Sequence, residues 1–266
     1  MKRGHELNSD WRKVAATIYK KPTDSKVLGA ADVDVTELEK FISEKRKSGV
    51  KITLTHVMAL IVARTLRDEV PGLNAYVRRG KIIQRDNITA GISVLQANEQ
   101  MTSIFIPECD KMTLTILADR MRDEIQKSRK GDENETMQSK NFLSKVSWPF
   151  RNWIYRLYRT VTISWGISIP FLGLDSDSFG SFLITNIGTL GLDTGYPALL
   201  PSSNVSFVLV LGGVKKKPVV VDDEVVIRRI LALSIVMDHR IADASHGGKL
   251  YRHIKYLVKH PEELEK

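Results

Sequence analysis

The chain has 266 residues, of which 42% are hydrophobic and 27% charged, the composition of a globular protein that can bury a sizeable core. Its single cysteine, Cys109, excludes an internal disulfide and a cysteine-based zinc site, and fits a reducing compartment. The formal charge of +9 favours anionic partners, but no nucleic-acid motif accompanies it. The polar N-terminal residues predict no signal peptide, so we expect a cytoplasmic protein that does not bind nucleic acid.

The first half of the chain predicts strands and helices in mixed order. A strand covers residues 28–35, Thr36 and Glu39 form a capping box for a helix that ends near Lys47, and Thr55 caps a second helix. Strand-like runs then occupy residues 73–77, 81–83, 88–94 and 102–106, and a helix spans residues 110–127. Residues 129–140 are charged and polar, which is typical of an exposed loop.

The second half predicts more strands and a final helix. The strands cover residues 182–185, 205–211, 219–221 and 225–236, all rich in β-branched side chains. The helix starts at Asp243, ends near Lys259 and is stopped by Pro261. Strands and helices do not alternate strictly, and the pattern predicts an α/β fold in which helices pack on a mixed β-sheet.

A group of charged residues stands where the last strand ends. The strand is almost wholly apolar from Ile230 until Asp238, His239 and Arg240 interrupt it, and ionisable groups at such a place are costly unless they are paired or used. His239 has the titration range of a general base. Equally, Asp243 can simply cap the last helix beside a structural histidine. The spacing alone leaves both interpretations open.

A metal site is the weaker interpretation of the same residues. His239, Asp243 and His246 are separated by four and three positions, and His253 and His260 continue at intervals of seven. Helix positions seven apart are separated by about 10 Å along the axis, which is too far for two ligands of one ion. We therefore expect no bound metal.

Several segments together resemble the catalytic domain of the 2-oxo acid dehydrogenase acyltransferases, relatives of chloramphenicol acetyltransferase. DHRIADA, starting at Asp238, resembles the DHRxxDG signature of that family, and GSFLITNIGTLGLD is similar to its GTFTISNLGxxG segment. WRKVAATIYKK, GAADVDVTELEKFI and PGLNAYV resemble earlier landmarks in the same order. The resemblance runs from about residue 11 to 264. It implies a two-layer sandwich like that of chloramphenicol acetyltransferase, formed by one catalytic domain over residues 1–266.

The resemblance also implies how the site would work. The family forms homotrimers, or larger assemblies of trimers, with active sites at subunit interfaces where coenzyme A and the acyl acceptor meet. By this mapping His239 is the base, Asp243 pairs with Arg12 to order the site, and Thr185 occupies the position of a serine that donates to the oxyanion. Structural alternatives remain: Asp243 as a helix cap, and Thr185 as a residue that merely suits a strand. Asn186 and Gly188 are expected to shape the turn after Thr185.

The chain departs from the family in three places. Ala244 replaces the glycine of the signature, and LLPSSN stands where a proline pair is usual before the strand that begins near Val205. We also find no room for a lipoyl domain or a subunit-binding domain. We therefore expect coenzyme A or acyl-coenzyme A as substrate, no covalently bound lipoyl group, and a separate lipoyl protein as one candidate partner.

Residues at about 140–175 form an insertion relative to the family. Residues 140–174 contain five basic residues and no acid, and Val146, Phe150, Trp153, Ile154 and Leu157 fall at helical spacing. Such a helix can make peripheral contact with a membrane surface. It can also dock its apolar side on its own domain or a neighbouring subunit, for example as a lid over the substrate channel. The uncharged residues 160–174 are fewer than the ~20 needed to span a bilayer.

Two classes of function follow from these features. The first is a coenzyme A-dependent acyltransferase that moves an acyl group between a thioester and a thiol, hydroxyl or amine acceptor. The alternative is a non-catalytic trimeric scaffold or membrane-peripheral assembly protein on the same fold. Retention of His239, Asp243, Thr185 and Arg12 together favours the enzyme.

Overall fold

The computed structural model describes residues 25–95, 101–129, 147, 149–169, 176, 177, 179–201 and 203–266. The strands in this part of the chain are β1 (Lys26–Asp34), β2 (Ala75–Arg78), β3 (Lys81–Gln84), β4 (Ala90–Leu95), β5 (Met101–Ile106), β6 (Phe182–Asn186), β7 (Phe207–Val221) and β8 (Glu224–Asp238). The α-helices are α1 (Thr36–Lys47), α2 (Leu54–Asp68), α3 (Leu114–Arg129), α4 (Phe150–Tyr158) and α5 (Ala244–Lys259). None of these helices combines the length and the apolar character that crossing a bilayer requires.

The main sheet is mixed, as the pattern predicted. Its strand order is β1-β8-β7-β6-β4-β5. β6 runs parallel to both β4 and β7, and the remaining pairs are antiparallel. β2 and β3 form a separate antiparallel pair. β7 and β8 make a long hairpin whose two turn residues, Asp222 and Asp223, both have positive φ, the backbone that a tight two-residue hairpin turn requires.

The period-2 pattern of the strands decides which face carries the helices. On β7, Phe207, Leu209 and Leu211 belong to the large core shared with the helices. Val208 and Val210 point to the opposite face, where they pack in a smaller apolar cluster. α2 lies at the centre of the helical layer, and its residues from Val57 to Ala63 are completely buried. The result is one layer of helices on one sheet.

Two predicted helix caps are wrong. Thr36 is the first residue of α1, and its hydroxyl donates to Asp34 and accepts from the backbone N–H of Arg229. Glu39 forms an ion pair with Arg229, a residue distant in sequence, instead of completing a capping box. The cap of α2 is Thr53, two residues before the predicted Thr55, and its partner in the capping box is His56.

Other predicted boundaries also shift. The predicted strands at 205–211 and 219–221 are one strand, β7. Gly212, Gly213 and the lysines that follow resemble a break in sequence, but the ladder with β8 continues through them, with a bulge between Leu211 and Val214. The helix predicted from residue 110 begins at Leu114, after a short 3₁₀ turn at Cys109–Lys111. The final helix has the predicted start and end.

Candidate active site

Asp238 ends β8 and organises the turn that follows. Its side chain is buried and accepts hydrogen bonds from the backbone N–H of Arg240 at 3.0 Å and from the guanidinium at 2.5–3.0 Å. Its backbone oxygen accepts from the N–H groups of Ile241 and Ala242. The hydrogen bond of its guanidinium to the Asp238 carboxylate raises the pKa of Arg240 above its usual value. Asp238 thus accepts the hydrogen bonds of the backbone N–H groups in this turn, and its carboxylate pairs with Arg240. This pairing explains why the strand can end on charged residues.

His239 is held by the backbone on both sides of this turn. Its N–H donates to the carbonyl oxygen of Ser25 at 2.6 Å. Its ring Nδ1 lies 2.6 Å from the carbonyl oxygen of Ala242, and because a carbonyl only accepts, Nδ1 carries the proton. The lone pair is then on Nε2, and the residue is exposed. An oriented imidazole with a basic Nε2 is what a general base requires.

Asp243 is the N-cap of α5. Its Oδ1 accepts from the backbone N–H groups of Ser245 and His246 and from the hydroxyl of Ser245, and it lies 2.9 Å from the His246 ring. The bonds from Ser245 and His246 lower the pKa of Asp243 well below its usual value. Capping, one of the two interpretations of this residue, is therefore realised. Arg12, its expected ion-pair partner, lies outside the described residues.

Thr185 lies on β6 and points away from the helical layer, because it follows Ile184, whose buried side chain packs in the large core shared with the helices. The turn after it is shaped as predicted. Asn186 donates to the hydroxyl of Thr55 at 3.2 Å, and Gly188 lies so close to Gly212 that a Cβ would stand 2.4 Å from that residue's oxygen. The strand end that carries Thr185 is thus fixed to both α2 and β7.

Thr185 lines a cavity of about 280 Å³ that sequence reasoning did not identify. The cavity lies on the sheet face opposite the helices, and its walls are mainly apolar. Phe105 and Phe179 meet edge to face there, with ring centroids 6.0 Å apart. The other lining residues are Ser93, Met101, Thr102, Ser103, Leu183, Pro197, Ala198, Leu200, Ser203, Val205 and Val208. A hydroxyl beside an apolar pocket suits a substrate with an apolar group next to a polar reacting centre.

Within one chain, Thr185 and His239 lie far apart. Thr185 is level with Val210, and Val210 is level with Ser234 on β8. His239 comes five residues after Ser234 and two strands away from β6, which places the two residues about 15–20 Å apart. Neither side chain is long enough for both to reach a single reacting atom.

A second cavity, of about 420 Å³ and with polar walls, adjoins the turn of His239. Lys26, Arg159 and Arg240 contribute positive charge to it, with Asp238 as the acid among its lining residues. Arg159 comes from the insertion, so this segment takes part in the surroundings of the candidate site. Three cations and one acid leave a net positive charge around this opening, and this charge attracts an anionic ligand.

The insertion is partly docked and partly exposed. After α4 a π-helical turn, Arg159–Ser164, packs Thr162 and Ile163 against the domain. The apolar residues of α4 stay uncovered, with Phe150 68% and Trp153 74% exposed. The described residues of the domain therefore do not cover this apolar side, and docking on a neighbouring subunit or a membrane surface stays a prediction.

The histidines that follow His239 serve separate structural roles. His246 belongs to the helix cap, His253 hydrogen-bonds with Thr65, and His260 packs against the ring of Tyr256. In the part of the chain that the structure describes, no three potential ligands are grouped closely enough to hold a metal ion.

Comparison with known proteins identifies relatives over most of the chain. Residues 6–143 and 174–265 match the model of the family described as 2-oxoacid dehydrogenases acyltransferase (catalytic domain). The unmatched residues 144–173 lie within the predicted insertion. The acetyltransferase component of the pyruvate dehydrogenase complex of Mycoplasma capricolum is 25% identical over 244 residues, which are 90% of this chain and 44% of that protein. The chain spans less than half the length of the curated relatives it matches.

Solved structures share the fold. A probable dihydrolipoamide acetyltransferase from Listeria monocytogenes superposes with a TM-score of 0.66 and 20% identity, covering 97% of this chain and 95% of that one. A chloramphenicol acetyltransferase superposes with a TM-score of 0.50 and 10% identity, covering 88% and 89%. The predicted fold, a mixed sheet packed with helices as in chloramphenicol acetyltransferase, is confirmed.

Proposed function

Since the chain belongs to the 2-oxoacid dehydrogenase acyltransferase (catalytic domain) family, we propose that it is a coenzyme A-dependent acyltransferase. It moves an acyl group between a coenzyme A thioester and a thiol, hydroxyl or amine acceptor. Residues 1–266 form one catalytic domain, with an inserted segment at about 140–175. The buried state of its one cysteine fits a cytoplasmic protein.

The chemistry follows from the residues at the two strand ends. Nε2 of His239 takes the proton of the attacking thiol while the sulfur of that thiol bonds to the carbonyl carbon of the thioester. The hydroxyl of Thr185 donates to the oxyanion that forms. When the tetrahedral intermediate collapses, the bond from carbon to the coenzyme A sulfur breaks and His239 returns the proton to that sulfur. No other charge or atom is needed.

The observation that carries this proposal is the separation of His239 from Thr185. Because one chain cannot bring them to the same atom, His239 of one copy must meet Thr185 of another. A homotrimer, or a larger assembly of trimers, provides three such sites by rotation. The apolar cavity beside Thr185 then receives the acyl group, and the basic residues beside His239 attract the anionic coenzyme A.

Asp243 can act both as the N-cap of α5 and as the ion-pair partner of Arg12. The capping contacts all use Oδ1, so an ion pair with Arg12 through Oδ2 is compatible with the cap. Such a pair would order the N-terminal segment over the site more than it would stabilise the fold. The acceptor that we propose is a dihydrolipoyl group, because the relatives of this chain are named as dihydrolipoyllysine-residue acetyltransferases.

Acyl transfer from acetyl-coenzyme A to free dihydrolipoamide tests the proposal. We expect activity in the purified protein, a loss of about 10²–10⁴-fold in His239→Ala and of about 10²–10³-fold in Thr185→Val. Thr185→Ser, which keeps the hydroxyl, should remain active. Absence of transfer with acyl donors of several lengths and with amine and alcohol acceptors would contradict an enzymatic role.

Mixing the two inactive variants tests the shared site. If His239→Ala and Thr185→Val are unfolded and refolded together, random trimers contain intact sites at about one interface in four. We expect about a quarter of the wild-type activity, whereas separately refolded variants stay inactive. A site contained in one chain would show no recovery.

A non-catalytic trimeric scaffold or membrane-peripheral assembly protein is the second candidate. It is favoured by the exposed apolar side of α4, which acyl transfer does not require. Melting-temperature measurements distinguish the two, since a bound coenzyme A thioester stabilises the folded state by about 2.7 kcal/mol at a hundredfold excess over its dissociation constant. No shift at millimolar ligand would favour the scaffold.

A further inference from the structure

The insertion presents an apolar surface that no described residue of the domain covers. Phe150, Trp153 and Leu157 on α4 are 68%, 74% and 65% exposed. They follow one another by three and four residues, so they lie on one side of the helix together with Ile154. Four large apolar side chains on nine residues of helix are more than a solvent-facing helix ordinarily carries. We refer to these four residues as the α4 apolar side.

The charges around this side all have the same sign. Residues 140–174 contain no Asp or Glu, and Arg156 and Arg159 are exposed. On a helix of 3.6 residues per turn, Arg156 falls on one flank of the α4 apolar side. An apolar strip flanked by arginine, with tryptophan in the strip, is the composition of helices that lie in a membrane interface.

The rest of the insertion holds α4 in place. Tyr155 and Tyr158 are half-buried on another side of the helix, with ring centroids 6.4 Å apart. The backbone N–H of Arg79 donates to the oxygen of Ser164 at 3.1 Å, and its Nε donates to the oxygen of Trp165 at 3.0 Å. The turn after α4 is therefore tied to the β2–β3 hairpin, and the apolar side remains turned outward.

The occupant of this surface must supply negative charge. Residues 144–173 lie outside the part of the chain that matches the acyltransferase family, so the contacts shared by that family do not account for them. Pairing of α4 with α4 of a second copy would bring arginines together without a compensating acid. An anionic bilayer offers both an apolar interior for the rings and negative headgroups for the arginines.

We propose that the α4 apolar side docks on an anionic membrane surface, with the helix in the plane of the interface. α4 is too short to span a bilayer, so its attachment is peripheral and reversible. This proposal does not depend on the proposed acyl transfer. It holds for an active transferase and for a scaffold alike.

Co-sedimentation of the full chain with lipid vesicles tests the proposal. We expect binding to phosphatidylcholine vesicles that contain about 30% phosphatidylglycerol to exceed binding to pure phosphatidylcholine by roughly tenfold or more. The double variant Trp153→Ser with Leu157→Ser should lose roughly tenfold or more of this binding. Arg156→Gln should lose about fivefold at ~0.1 M salt and little at ~0.5 M, because salt screens its attraction to the headgroups.

Ile116→Ser is the matched control, since Ile116 is an exposed apolar residue (56%) on another helix, α3. Its vesicle binding should equal that of the wild type. The proposal is overturned if anionic vesicles do not bind the wild-type chain, or if Ile116→Ser loses as much binding as the double variant. It is also overturned if the double variant lowers the molar mass in light scattering and leaves vesicle binding unchanged, because α4 would then be a contact between copies of the chain.

Discussion

The ring of His239 is oriented by the backbone of its own turn, because Nδ1 donates to the carbonyl oxygen of Ala242 at 2.6 Å. Ala242 is itself 2% exposed, and its N–H donates to the backbone oxygen of Asp238. The tautomer of the proposed base therefore depends on a tight turn and not on a neighbouring acid. Asp238 and Arg240, which flank the histidine, hold that turn closed.

Asp238→Asn should reduce activity by loosening this turn. The variant keeps an acceptor but loses the charge that binds the guanidinium of Arg240, so the ring of His239 is less well positioned. We expect kcat for acyl transfer to fall roughly tenfold with KM little changed. The pH profile should keep its shape, since the base itself is intact. Glu39→Gln, which breaks the ion pair with Arg229 far from the turn, should leave kcat unchanged.

Two substitutions at Asp243 distinguish its role as a helix cap from its proposed ion pair with Arg12. Asn is as good an N-cap as Asp, whereas Ala is not. We expect Asp243→Ala to lower the melting temperature by roughly a few degrees and Asp243→Asn to leave it close to the wild-type value. If the charge also binds Arg12, both variants lose kcat/KM. Full activity in Asp243→Asn would mean that the residue acts only as a cap.

Phe105→Ala should change which acyl group is preferred. The ring of Phe105 closes one side of the cavity beside Thr185 and packs edge to face on Phe179. Removing it lengthens the pocket, and one added methylene in an apolar pocket changes selectivity by about 10–200-fold. We expect the ratio of kcat/KM for hexanoyl- over acetyl-coenzyme A to rise at least about tenfold. Val27→Ala, on β1 and outside the cavity, should leave the ratio unchanged.

His56 should make the fold sensitive to mild acid. Burial, and to a lesser extent Arg46, lower the pKa of His56 from 6.5 to about 4. The unfolded chain then binds a proton more readily than the folded chain between about pH 6.5 and 4, so stability falls as the pH falls through this window. His56→Gln keeps a capping-box side chain but does not titrate. Its melting temperature should change less than that of the wild type across this window, and an equal change in both proteins would contradict the role of His56.

Cys109 should be unreactive in the folded protein. It is completely buried, and burial together with Asp110 raises the pKa of its thiol to about 12. At pH 8 the thiolate fraction is then roughly a thousandfold below that of a free cysteine. We expect Ellman's reagent to leave the native protein almost unlabelled and to label one thiol per chain in guanidinium chloride. Rapid labelling of the native protein would contradict the burial of Cys109.

Local sequence patterns were sufficient for much of the architecture. Period-2 strands and 3.6-period helices predicted the mixed sheet, and the final helix begins and ends where Asp243 and Pro261 predict, because a cap and a proline act within one turn of the backbone. The cap at Thr36 was wrong because Arg229, distant in sequence, binds Glu39. The cap at Thr55 was wrong because Thr53 and His56 form the capping box two residues earlier.

The residues of the proposed site could be named from the sequence by the family resemblance, but their arrangement could not. Strand order and register place Thr185 and His239 at different levels of the sheet, and pairing between strands far apart in sequence leaves no local signal. The same holds for the cavity beside Thr185, which is enclosed by residues from β4 to β7. The reactive groups and the approximate positions of most helices and strands follow from local sequence, because side-chain chemistry and periodicity are local properties. The turn that orients His239 and the outward direction of the α4 apolar side do not, because segments distant in sequence anchor them: Ser25 for the turn, and the β2–β3 hairpin for α4.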